Sequence, residues 1–179
     1  MITTKSDFNA TGVNTMAQNE SVNLSLKNIW TVDCFDSEGN LKWSETKKNL
    51  ITTEGLNHIL DSTFHADTQI TTWYIGLKGS GSAAAGDTLA SHAGWSEISD
   101  YSGDRKEWTE GAASSGSMTN SSSVDFTITG TATIAGAFLG SAASGTSGTL
   151  YGVVDFASAR SVLSGDTLQV TVTVTAASS

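Results

Sequence analysis

Residues 87 to 110 hold the most concentrated set of polar and aromatic side chains in the chain. They are Asp87, His92, Trp95, Glu97, Asp100, Tyr101, Asp104, Arg105, Glu107 and Trp108. Two kinds of chemistry would use them. Glu97 and Glu107 could serve as the acid and base of glycoside cleavage, which needs two carboxyl groups flanking one bond. Trp95, Tyr101 and Trp108 could stack on sugar rings. No nucleophile motif accompanies them, and a structural loop covering a sheet uses the same residue types. We therefore assign no catalytic residue and take Trp95, Tyr101, Arg105 and Trp108 as candidates for contact with a partner.

Other constellations are weaker. At 100° per residue, His58, Asp61 and His65 share one helix face at i, i+3 and i+7, a spacing that could ligate zinc. Nothing nearby offers a fourth ligand, and an exposed polar stripe is what an amphipathic helix needs anyway. Asp36-Ser37-Glu38-Gly39-Asn40 has calcium-loop oxygens but lacks the Asp-x-Asp-x-Asp-Gly order and the distal bidentate Glu. Gly79-Ser80-Gly81 is followed by no Lys-Ser/Thr and opens no helix, so it is not a phosphate loop. The single cysteine, Cys34, sits in an alternating run and reads as a small buried hydrophobe. No metal or other cofactor is expected. Four Asn-x-Ser/Thr matches, among them Asn120-Ser121-Ser122, read as chance in a chain this rich in those residues.

The composition narrows the classes further. Ser, Thr, Gly and Ala make up 88 of 179 residues, and Pro is absent. The net charge is −9, with nine scattered Lys and Arg, which argues against nucleic-acid binding. The N-terminal residues have no apolar run, so neither a signal peptide nor a membrane span is expected. From Gly111 to Ser179 the charged side chains are Asp125, Asp155, Arg160 and Asp166 alone. Such a segment can hardly carry acid–base, metal or phosphate chemistry, and it reads as β scaffold.

Residues 1–21 are polar and aperiodic, with Phe8, Val13 and Met16 as isolated apolar points. They form either an arm that orders on a partner or a tail without a role. Residues 22–179 form one domain: a hairpin over 22–49, a short helix over 53–65 and a main β region over 72–179. Thr52 or Thr53 caps the helix, whose apolar face is Leu56, Ile59, Leu60, Thr63 and Phe64. Val124/Phe126/Ile128 and Leu168/Val170/Val172/Val174 alternate strictly with polar residues, so one face of each strand packs on a core. The fold class is mainly β: an antiparallel sandwich, jelly-roll or immunoglobulin-like, with about eight strands.

One stretch is more specific. Tyr74-Ile75-Gly76-Leu77, then Ala85-Gly86-Asp87-Thr88-Leu89-Ala90-Ser91-His92-Ala93-Gly94-Trp95, Glu97, Tyr101, Arg105 and Trp108 follow in order. Gly136-Ala137-Phe138-Leu139, Gly148-Thr149-Leu150-Tyr151 and Gly165-Asp166-Thr167-Leu168 continue the series. Over about residues 50 to 175 the chain resembles small structural proteins of tailed bacteriophages. The resemblance implies a virion protein of the capsid decoration or cement type, made in the host cytoplasm and placed on the outer surface of the head. Its partners would be the major capsid protein and itself, as a homotrimer, with a dimer or monomer also able to serve. A head-fibre or tail-associated module binding a receptor or glycan is the alternative. The resemblance carries no catalytic residue over, and the protein is expected not to be an enzyme. Phe8, Val13 and Met16 of the arm join the four loop residues as candidate contacts.

Overall fold

The structure, a computed structural model, describes residues 24–178. The arm with Phe8, Val13 and Met16 lies outside the described residues. The elements in chain order are β1 (Leu24–Phe35), β2 (Leu41–Lys48), β3 (Leu50–Ile51), α1 (Thr53–Phe64), β4 (Tyr74–Gly81), β5 (Trp95–Ile98), β6 (Lys106–Glu107), β7 (Ser117–Thr119), β8 (Val124–Thr127), β9 (Ala132–Gly140), β10 (Leu150–Val162) and β11 (Thr167–Ser178). The strands beyond the expected eight are short pieces such as β3, β6 and β7.

All pairing is antiparallel, in two sheets. The first runs β2-β1-β11-β7, with β8 also on β11; the second runs β3-β10-β9-β4-β5, with β6 also on β4. This is the mainly β sandwich that the alternation implied. β11 pairs with β1 from Leu24↔Ser178 to Phe35↔Thr167. That register puts Trp30, Val32 and Cys34 on the face that also carries Leu168, Val170 and Val172. They meet Ile75, Leu77, Ile134, Leu139 and Val154 of the second sheet in one core. Fully burying each aliphatic side chain contributes about 1.5–3 kcal/mol.

The second sheet is covered on its outer face too. Leu89 and Trp95 pack there on Phe138, Leu150 and Val153. Gly76 makes room for this layer, because a Cβ at that position would sit 2.3 Å from the Phe138 ring. Leu89 and Trp95 of the 87–110 segment thus cover the sheet, as expected of a structural loop, whereas Tyr101 and Trp108 enter the core between the sheets.

The helix is present where expected but rolled differently. The Thr52 side chain caps it by accepting from Gly55 N at 3.1 Å, and donates to the Leu150 carbonyl. The Glu54 carboxylate accepts from Leu150 N at 2.6 Å and Leu89 N at 3.3 Å. Gly55 lies against β10 so closely that a Cβ would fall 2.2 Å from the Tyr151 carbonyl oxygen. These contacts fix the rotation of α1. Gly55 is buried and Ile59 packs against the core, whereas Leu56, Leu60 and Phe64 point outward. The expectation of Leu56, Leu60 and Phe64 as the inner face is corrected: one buried backbone contact outweighs the apolar stripe. Gly55→Ala should destabilise the protein by about 2 kcal/mol or more, although Ala favours helix by about 1 kcal/mol. The denaturant midpoint of the variant measures it.

Candidate partner-binding surfaces

The polar and aromatic residues of the 87–110 segment are used by the fold. Trp95, Tyr101, Arg105 and Trp108 are each only 5–6% exposed. Trp95 stacks on His92 with centroids 3.9 Å apart, and its Nε1–H donates to Asp87 at 2.9 Å. Trp108 donates to Asn120 Oδ1 at 3.1 Å. Tyr101 meets Phe126 edge-on at 4.9 Å, and burial, then the charge of Glu97, pushes its hydroxyl pKa up. The four are not one patch: Trp95 lies in the layer outside the second sheet, Tyr101 and Trp108 in the inter-sheet core. Their ring faces are covered, so in this fold they do not offer the contact surface expected of them. The reason is that a buried indole or phenol brings large apolar area and one polar group that a nearby acceptor satisfies.

Arg105 is the most heavily bonded of the set. Nε and Nη2 each donate to Glu97 at 2.7 Å, Nη1 to the Ala142 carbonyl at 2.9 Å, and Nη2 to the Gly145 carbonyl at 2.8 Å. Glu97 is thus the partner of a guanidinium. Glu107 lies elsewhere: Glu97 aligns with Lys78 on β4, and Glu107 with Tyr74. Four residues along one strand is about 13 Å, beyond the roughly 5–9.5 Å of glycosidase carboxyl pairs. This structure does not bring the two together.

The remaining candidates are also accounted for locally. His58 turns toward Trp73, ring centroids 5.7 Å apart, while His65 Nδ1 lies 3.6 Å from Asp61. Among the described residues no three His, Cys, Asp or Glu side chains are gathered as metal ligands. Asp36 accepts from the amides of Asn40 and Glu38 at 2.8 and 3.0 Å, which holds its carboxyl below the usual range. Cys34 is buried, and burial followed by the charge of Asp166 raises its thiol pKa to about 11. At pH 8 a thiol reagent should leave native Cys34 untouched and label it only on unfolding, which a thiol titration with and without denaturant checks.

Two structural side chains were not singled out from sequence. Lys78 is fully buried, pairs with Asp155 at 2.9 Å and donates to the Gly79 and Gly81 carbonyls. Asn120, noted only as part of a glycosylation match, is buried and bonded at both ends of its amide. Sequence signals were faint. A lysine at the end of an apolar strand reads as a solvated end, and an Asn among serines reads as a turn.

What the fold leaves open is different. Leu56, Leu60 and Phe64 are 41%, 54% and 82% exposed along α1. Beside the helix, His58, Ile59 and Ser62 line a mostly apolar pocket of about 270 Å³ with Leu26, Trp73 and Tyr151. The outer face of the first sheet is rich in threonine, with Thr31 meeting Thr46 at 3.1 Å and Thr119 meeting Thr173 at 3.2 Å, and it also carries Lys27, Asp33, Lys48 and Asp125.

A family model described as Podophage GP4 fiber I protein gp80 matches residues 47–177. The chain belongs to that family. Membership makes it a structural protein of a bacteriophage virion, the coarser part of what the resemblance implied. The matched region of the fiber I protein gp80 family takes in α1, the cover segment and all of the second sheet, and β7, β8 and nearly all of β11 of the first. It omits β1 and nearly all of β2. No curated protein matches the chain.

Proposed function

We propose that this chain is a non-enzymatic fibre module of a tailed-phage particle, a rigid β-sandwich carried outside the virion. The observation that carries this reading is the fiber-family match over 47–177. The geometry supports the non-enzymatic part, since Glu97 is tied to Arg105 and stands far along β4 from Glu107. Density or antibody labelling on intact particles tests the proposal, with signal expected on a projecting fibre.

A second reading is decoration of the capsid exterior, bridging copies of the major capsid protein as a homotrimer. The threonine-rich part of the first sheet's outer face favours it, because Thr31, Thr46, Thr171 and Thr173 cluster there with few charges to desolvate in a broad contact. Labelling at regular positions on the shell, with none on a projection, would select this reading. Glycan recognition by Trp95, Tyr101 and Trp108 has less support, because their rings are covered. A glycan array should show no binding that depends on them.

A further inference from the structure

The exposed stripe of α1 is built in by the fold. The Thr52 cap, the Glu54 bonds and the Gly55 approach to Tyr151 lock the roll of the helix. Leu56, Leu60 and Phe64 then stand at i, i+4 and i+8, the ridge along which helices pack into a groove. Their exposed parts amount to on the order of 300 Å², taking about 150–250 Å² for a large side chain. A stable dimer of free subunits buries roughly 800 Å² on each side. The ridge alone is therefore too small to hold two copies of this chain together, and fits a short segment of another protein.

Charge says what kind of segment. Between Lys48 and Lys78 there is no Lys or Arg. Asp61, half-exposed, follows Leu60 directly, and the Asp67 amide folds back onto the Asp61 carbonyl at 3.2 Å. Asp61 and Asp67 line a hollow with Glu54 and Asn57, so acid borders the ridge along one side, on a chain of net charge −9. A second copy would bring like charge. A segment with an apolar ridge and a Lys or Arg rim would be attracted.

We propose that Leu56, Leu60 and Phe64, rimmed by Asp61 and Asp67, dock a basic, amphipathic segment of another virion protein and so fasten this chain to the particle. This rests on the fibre reading above and names its attachment face. The experiment is incorporation into particles. Phage carrying Leu60→Ser/Phe64→Ser should contain at least tenfold less of the chain, and Asp61→Lys/Asp67→Lys several-fold less. Both variants should keep the wild-type circular dichroism and melting curve, as exposed substitutions do. Full incorporation of either variant overturns the proposal. So does a wild-type oligomer in sedimentation that Leu60→Ser/Phe64→Ser dissolves, since the occupant is then a second copy. If purified wild-type particles lack the chain altogether, the fibre reading itself fails, a result separate from any variant. As a direct probe, a synthetic Leu/Lys amphipathic helix should bind wild-type protein at least tenfold tighter than Leu60→Ser/Phe64→Ser, and a Leu/Glu helix should not bind. Equal binding of the Leu/Lys helix to wild type and variant overturns the proposal.

Discussion

Arg105→Ala is expected to lower the unfolding free energy by about 3 kcal/mol and to loosen the cover of the second sheet. The guanidinium is nearly sealed from water and has four donor contacts, two to Glu97 and one each to the Ala142 and Gly145 carbonyls. It also lies 5.1 Å from the centroid of Phe138. Truncation leaves two carbonyls and a carboxylate without their donor, and each orphaned buried group costs about 1–3 kcal/mol. Glu97 is partly exposed and can rehydrate, which keeps the total near the lower end of what breaking a buried ion pair costs. Arg105→Lys should recover less than half of the loss, because an ammonium cannot form the two-pronged bond to Glu97 while also reaching both carbonyls. Denaturant unfolding of the three proteins measures this. Wild-type stability in the Ala variant, with loss only of particle association, would return Arg105 to a partner surface.

The second large effect is at Asn120. Its Oδ1 accepts from Val172 N at 2.7 Å and Trp108 Nε1 at 3.1 Å. Its Nδ2 donates to Val170 O at 2.8 Å and Ser122 O at 2.9 Å. One amide thus completes the β11 edge between β8 and β7 and anchors an indole of the core. Asn120→Ala removes all four bonds where water does not easily replace them, and should cost about 3–5 kcal/mol. Asn120→Asp retains the acceptor but turns the two donated bonds into contacts between a carboxylate and carbonyl oxygens. It should be nearly as damaging at neutral pH and milder in acid, where a protonated carboxyl can donate one of them. Thermal melts of both variants at pH 7 and pH 4 distinguish the cases.

The legible parts of this protein were those set by short-range pattern. Leu168-x-Val170-x-Val172 announces its buried face because a strand has a period of two. Asp36 to Asn40 announces a turn, and Thr52 a cap, because the bonding partners are three or four residues away. The roll of α1 was not legible. Leu56, Leu60 and Phe64 form the stronger apolar stripe, and the contact that overrides it is between Gly55 and Tyr151, far apart in sequence. Gly55 itself was the available clue, since glycine in the first turn of a helix permits a backbone approach no other residue allows. The same limit applied to Trp95, Arg105 and Trp108. An aromatic and charged loop can sit on a surface or seal one, and the choice here is made by Phe138, Ala142, Gly145 and Asn120, from distant segments.

The first sheet has an order of assembly written into it. β1, β7 and β8 all pair with β11, and β11 follows β1 by about 130 residues. At roughly 5–20 residues per second of translation, the β1–β2 ribbon waits on the order of 10 s for its neighbour. During that interval the edge later taken by β11 is open, and Trp30, Val32 and Cys34 have no opposing layer. Lys42, Lys47 and Lys48 on β2 place positive charge along the ribbon's other edge, where charge discourages pairing between nascent chains. Misassembly of this early ribbon is the failure expected during rapid synthesis, and lower temperature or slower synthesis should raise the yield of folded protein.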